Sequence, residues 1–281
     1  MREWKSEIVL PKKGSPEIKC IQREGSGMDP VIARIRKDLK TQADPEIRQT
    51  ARRFFKEEIV CYGMKTAAVG AIAKTYWKEV RSREKLEIFG LCEELYRSGM
   101  MEEAFIVSNW VPNLTERFVP DDLTVFRHWI DTWITNWAAC DGFCNHSIGN
   151  FIEKYPESVD ELKRWTQSEN RWVRRAAAVS LIVPAKHGKF LDHALEIADL
   201  LLADSDDMVQ KGYGWLLKEA SRKHRDEVFA YVMRNRKRMP RTALRYAIEL
   251  MPEKLKVEAM KKERQPPGIA CTDKADKPTR T

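Results

Sequence analysis

Asn136-Trp-Ala-Ala-Cys-Asp141, Asn170-Arg-Trp-Val-Arg-Arg175 and Asp206-Asp-Met-Val-Gln-Lys211 are the stretches that decide how this chain folds. Each opens with an Asn or Asp suited to capping a helix N-terminus, carries an apolar residue three positions on, and ends on a polar residue at the fifth. Their openings lie 34 and 36 residues apart. Asp44-Pro-Glu-Ile-Arg-Gln49 fits the same frame further upstream. A recurrence near 35 residues with two helices per unit marks a HEAT-type solenoid, the alternative being an irregular helical domain. The fold expected is therefore all-α, an α-solenoid of HEAT-like helical repeats with a concave basic groove. In such a stack Asp141, Arg175 and Lys211 occupy equivalent positions in three consecutive repeats and share one wall. Trp137 lies one turn before Asp141, and Trp215 and Lys218 lie one and two turns after Lys211.

Helix signals continue on both sides of these stretches. Asp29-Pro30 and Asp44-Pro45 each set a capping residue before a proline at the first helical position. Ser82 is expected to open a helix through Arg97, with Gly99 at the C′ position. Later starts fall near Pro120, Pro156, Lys189 and Pro240, and no stretch shows the sustained alternation of a strand. Residues 1–28 read as an extended N-terminal arm, 29–263 as the repeat domain, and 264–281 as a disordered basic tail.

The 281 residues are 43% hydrophobic and 33% charged, enough for a substantial core. No apolar run approaches the roughly 20 residues that a bilayer span needs. The opening Met1-Arg-Glu-Trp-Lys-Ser-Glu has no apolar signal region, and six cysteines scattered over this length do not form a disulfide framework. The expectation is a soluble, cytoplasmic monomer with reduced thiols and no membrane contact. Lys and Arg number 50 against 42 Asp and Glu, a net charge of +8. That excess is one-sided: Leu91–Asp160 holds 12 acidic and 4 basic residues, Glu161–Arg241 holds 17 basic and 11 acidic. A basic half interleaved with tryptophans suits a phosphate backbone, because each neutralised phosphate releases counterions. For any single arginine there, a solvated helix face is the better reading; it is the cluster as a whole that favours nucleic acid.

Other chemistry is thinly signalled. Cys140, Cys144 and His146 form Cys-x3-Cys-x-His, but no second ligand pair stands at zinc spacing, so the thiols read as core. Trp129, Trp133 and Trp172 also read as core. No glycine-rich phosphate loop, Ser-His-Asp order or His-Glu-x-x-His occurs.

Trp137-Ala-Ala-Cys-Asp141, Asn170-Arg-Trp-Val-Arg-Arg175 and Lys211-Gly-Tyr-Gly-Trp215-Leu-Leu-Lys218, in this order and spacing, resemble the AlkD family of DNA alkylation-repair glycosylases. Cys61-Tyr62-Gly63-Met64-Lys65 resembles a short glycine-containing turn near the start of those proteins. The resemblance implies a helical solenoid holding duplex DNA in a basic groove. It implies hydrolysis of the N-glycosidic bond of cationic N3- and N7-alkylpurines, with neither metal nor cofactor, and with the damaged base left in the duplex. It gives Asp141 the place of the catalytic carboxylate. Trp137 and Trp215 take the place of the aromatics that embrace the lesion's sugar and backbone. Arg175 takes that of a DNA-contacting arginine, and Lys211, Arg174 and Arg171 join it as candidate DNA-binding cations. Lys218 stands where the family usually carries arginine, which keeps the charge but loses the planar bidentate fork.

These residue types suit the chemistry. An N3- or N7-alkylated purine already carries positive charge and leaves as a neutral base, so no general acid is required. The difficulty is the oxocarbenium character growing on the deoxyribose, which a fixed carboxylate stabilises while it orients a water. Indole faces add cation–π attraction of about 0.5–2 kcal/mol each. From the residues alone Asp141 is equally a carboxylate favoured by a helix N-terminus. A catalytically silent scaffold for nucleic acid or protein remains the alternative function.

Overall fold

The computed structural model describes residues 28–261. Most of the expected arm (1–28) and the tail (264–281) lie outside them. Sixteen α-helices occur among the described residues. They are α1 (Pro30–Thr41), α2 (Pro45–Phe54), α3 (Thr66–Val80), α4 (Lys85–Arg97), α5 (Met101–Trp110) and α6 (Asp122–Trp133) in the first half. The middle holds α7 (Trp137–Phe143), α8 (Gly149–Lys154), α9 (Val159–Trp165), α10 (Arg171–Val179) and α11 (Ile182–Lys186). The chain closes with α12 (Leu191–Leu200), α13 (Asp207–Ala220), α14 (Arg225–Asn235), α15 (Arg241–Ala247) and α16 (Glu253–Met260). The extended backbone among these residues amounts to an isolated bridge, Val60 to Met100.

The helices alternate between two layers. α3, α5, α7, α10, α13 and α15 each pack on the next and form one continuous layer. α4, α6, α9, α12, α14 and α16 back it from the other side. Members of the first layer begin every 34 to 36 residues from Thr66 to Arg241, so the period read from three sequence stretches runs through six repeats. This is the all-α solenoid expected. Buried side chains form one continuous core along it, with Trp110, Trp129 and Trp165 fully enclosed.

Local chemistry explains the starts. Asn136 Oδ1 accepts the Ala139 N–H at 2.9 Å, Asn170 Oδ1 accepts that of Trp172 at 2.9 Å, and Asp206 Oδ1 accepts that of Met208 at 2.8 Å. Gly99 sits past the C-cap of α4 at φ +69°, as a C′ glycine should. Two expectations need correction. α4 begins at Lys85, three residues after Ser82, because Glu84 and Glu87 form a reciprocal capping box there. Asp44 caps α2, but α2 is not a member of the periodic layer; it falls between α1 and α3, and none of its residues is buried.

The turn after α2 is fastened by a buried acid. Glu102, 1% exposed, accepts the backbone N–H groups of Tyr62, Gly63 and Met64 at 2.9, 2.8 and 3.1 Å. Its neighbour Glu103 accepts the Tyr62 hydroxyl at 2.7 Å and pairs with Arg36. Arg48 of α2 donates to the Tyr62 carbonyl, and the Asp44 N–H donates to that of Gly63 at 2.9 Å. Gly63 has φ +92°, and a Cβ there would lie 2.3 Å from the Asp44 carbonyl oxygen. The glycine of Cys61-Tyr62-Gly63-Met64-Lys65 is what lets α2 dock on this turn.

Two further glycines set helix spacing. A Cβ on Gly212 would meet Arg175 Cγ at 3.3 Å; one on Gly214 would meet Tyr246 Cβ at 2.8 Å and the Ala243 carbonyl at 2.9 Å. α13 is thus approached closely by α10 on one side and α15 on the other, which accounts for both glycines of Lys211-Gly-Tyr-Gly-Trp215. Gly214→Ala is expected to cost about 1–3 kcal/mol through forced displacement. Gly90→Ala, in α4 with nothing within 4 Å of the added methyl, is expected to stabilise by about 0.5–1 kcal/mol. Thermal unfolding of the two variants should move in opposite directions from wild type.

Candidate active site

The periodic frame predicts that Asp141, Arg175 and Lys211 share one wall; the side chains join the first two, whereas Lys211 pairs with Asp207 on its own helix. Arg175 reaches from α10 to α7, donating Nε to Asp141 Oδ1 at 2.8 Å and Nη2 to Oδ2 at 2.7 Å. Its remaining nitrogen, Nη1, donates to the Met208 carbonyl at the start of α13. One guanidinium therefore ties three consecutive layer helices. The pair is largely withdrawn from water, Arg175 being 5% and Asp141 9% exposed. The missing side chain of Gly212 provides the room for the arginine stem. Arg175 is thus engaged with the carboxylate, whereas the family resemblance casts it as a DNA contact.

Burial pushes the Asp141 carboxyl above its ordinary value, and the charge and hydrogen bonds of Arg175 pull it back. A guanidinium cannot shed its proton under these conditions, so the pair is the device by which a buried carboxylate keeps its ionised form. Each carboxylate oxygen spends one lone-pair direction on Arg175 and retains another for a further donor, such as a water.

Trp137 and Trp215 are both half-buried against the core. Trp137, one turn before Asp141, carries an aromatic neighbour that sequence reasoning missed. Phe55 stacks on its indole at 5.2 Å with 19° between the planes, and Phe54 meets it edge-on at 5.9 Å. The two residues that follow bind the next helix starts. Glu57 pairs with Arg171 at 3.2 Å, and Lys56 pairs with Asp207 at 2.8 Å. Residues 54–57 thus lie as a strap across the first residues of α7, α10 and α13. The available signal was Arg52-Arg53-Phe54-Phe55-Lys56, a basic run around two aromatics just before the Gly63 turn.

The other sequence-predicted cations are each held by an acid. Lys211 lies 3.2 Å from Asp207, and Lys218 lies 2.7 Å from Glu249. Arg171 faces Glu57 and Asp206 and covers the ring of Trp172 at 4.7 Å. Arg174 pairs with Asp204 at 2.6 Å and donates to the Ser168 and Glu169 carbonyls, bracing the turn before α10. Cys140 and Cys144 are fully buried, and the Cys140 thiol donates to the Trp172 carbonyl at 3.6 Å. Their surroundings are those of core residues.

This architecture has relatives. Among solved structures, a predicted DNA alkylation repair enzyme from Enterococcus faecalis superposes with a TM-score of 0.68 at 18% identity, covering 75% of this chain and 98% of that one. The smu.31 protein of Streptococcus mutans gives 0.52 at 18% identity, covering 76% and 100%. The alkylpurine DNA glycosylase AlkC of Pseudomonas fluorescens, solved on DNA containing an abasic site analogue, gives 0.45 at 17% identity, covering 78% and 61%. At 18% identity the first two likenesses show the fold alone. No curated protein matches the chain in sequence. The family model described as DNA alkylation repair enzyme matches residues 35–251, most of the chain and all of the site just described. The chain therefore belongs to the DNA alkylation repair enzyme family.

Proposed function

We propose that this protein is a monofunctional DNA glycosylase that removes cationic N3- and N7-alkylpurines, 3-methyladenine and 7-methylguanine among them, from duplex DNA. The observation that carries the reading is the Asp141 carboxylate, nearly closed to water yet held by a bidentate arginine, one turn from Trp137. A purely structural ion pair gains little from such burial, because desolvating both charges offsets most of their attraction. A carboxylate that must meet positive charge developing on a deoxyribose gains from it directly, since the same field is stronger where water is excluded.

In this mechanism the substrate's own charge makes the base a good leaving group. As the N-glycosidic bond lengthens, Asp141 stabilises the oxocarbenium character and accepts a hydrogen bond from the attacking water, which enters as the base departs. Arg175 positions the carboxylate and keeps it ionised. Trp137 and Trp215 would line the sugar. Normal purines are neutral, offer a poor leaving group, and are left alone. No step calls for a cofactor.

The second reading is a silent DNA-binding scaffold. Its specific support is that Phe55 already occupies one face of Trp137, the side chain that the catalytic reading sets against the lesion's sugar.

Release of 7-methylguanine from methylated duplex DNA separates the two. Wild type should release the base, and Asp141→Asn, which keeps the shape and one acceptor, should lose at least 100-fold in rate while still binding DNA. Equal rates for the two proteins would remove Asp141 from the chemistry, and no release by either would favour the scaffold. The rate should also fall on the acid side as Asp141 takes up a proton, at a pH above the ordinary carboxylate value of 3.8. Loss of the arginine removes the interactions that favour the ionised form, so Arg175→Gln should move this limb to higher pH. The profile is read after subtracting the Asp141→Asn baseline. An unmoved limb would mean that Arg175 does not govern the ionisation of Asp141.

A further inference from the structure

The strap that reaches Trp137 has a second side. Phe55, Lys56 and Glu57 are turned onto the layer helices by stacking and two ion pairs. The residues just before them face outward, although the Phe54 ring still meets Trp137 edge-on. Phe54 is 70% exposed, the highest value among the large apolar side chains described. Arg52 and Arg53 beside it are exposed, and neither has a carboxylate within ion-pair distance among the described residues. They contrast with the basic-half cations above, which are paired. Helix α2, which ends at Phe54, buries none of its ten residues. It is held by the Asp44 cap, by Arg48 on the Tyr62 carbonyl, and by the turn that Glu102 fastens. A helix dipole favours cations in the last turn, but it gives no reason for an exposed phenylalanine between them and the aromatic wall of the site.

We infer that Arg52, Arg53 and Phe54 form a preorganised DNA-contacting element at the edge of the candidate active site. Arg52 and Arg53 take two phosphates of the bound duplex, and Phe54 packs against the sugar and base edges next to the position that Trp137 faces. The occupant follows from the charge and the aromatic together. Two unmatched cations flanking an exposed aromatic are complementary to a polyanion with π-faces and apolar sugar edges. Fixing the strap at three points beforehand lowers the entropy that binding would otherwise cost. The inference rests on the reading of the protein as a DNA-processing enzyme, and supplies it with the unmatched cations that Lys211, Lys218, Arg171 and Arg174 do not.

The test uses the full chain and an undamaged duplex, with affinity followed between 50 and 200 mM salt, together with 7-methylguanine release. The double variant Arg52→Gln/Arg53→Gln should flatten the plot of log affinity against log salt by about 2, at roughly 0.9 for each phosphate no longer neutralised. Phe54→Ser should keep the slope and weaken binding by about fivefold or more. Lys78→Gln/Arg81→Gln removes the same charge at the C-terminal end of α3, about 20 Å from the first residue of that helix, and should leave the slope unchanged. Thermal unfolding of all three should match wild type, since none of these side chains is buried. If wild type binds with a steep slope but releases no base, the glycosylase reading falls while a flattened slope still supports the element. If base is released and the Arg52/Arg53 and Phe54 variants behave as wild type, the element is wrong and the glycosylase stands. A drop in slope equal to that of the α3 control would also overturn it, as a general charge effect.

Discussion

A single guanidinium holds this structure's centre. Arg175 joins Asp141 on one side and the Met208 carbonyl on the other, so α7, α10 and α13 are fixed relative to one another by one buried side chain. HEAT-like repeats contact only their neighbours, and their stacking is otherwise governed by apolar area, which has no direction. A bidentate pair supplies that direction: it is satisfied at one separation and one rotation. Removing either partner leaves a buried charge without its counterpart, a loss of order 3–5 kcal/mol. The position of the carboxylate and the register of the repeats are therefore one constraint.

The sequence made the layer helices legible because their signals are local. A capping Asn or Asp, an apolar residue at the right offset and a recurrence of 34 to 36 residues were enough to bring Asp141 and Arg175 into line. What stayed hidden depended on contacts across long separations. Glu102 grips amides some 40 positions upstream, and nothing in Met-Glu-Glu-Ala marks it as other than a surface helix start. Arg174 and Arg175 are adjacent and chemically identical, yet one braces a turn and the other orients the candidate carboxylate. Only the neighbouring helices distinguish them. The upstream match at Asp44 failed for a related reason, since a capping motif reports that a helix begins and not which layer it joins.

The Glu102 arrangement also links distant parts of the chain to the site. Glu102 holds the 62–64 turn, the turn seats α2 through Gly63 and Arg48, and the end of α2 delivers Phe55 to Trp137. Each link is short and saturated. The strap is positioned from below by polar groups that are already satisfied, and its aromatic contacts need only select among the few placements that remain.

The caps of α7, α10 and α13 carry a consequence for how anions are met. A free helix start presents several peptide N–H groups and a partial positive charge, an inviting seat for a phosphate. Here Asn136 and Asn170 each take one first-turn donor and Asp206 takes two, and the last of these adds a negative charge of its own. Backbone seats of this kind are thereby narrowed on α7, α10 and α13, and most of all on α13. If the protein works on DNA as proposed, the grip on a sugar-phosphate strand there would fall to long side chains, which can change in reach and charge without disturbing the scaffold beneath.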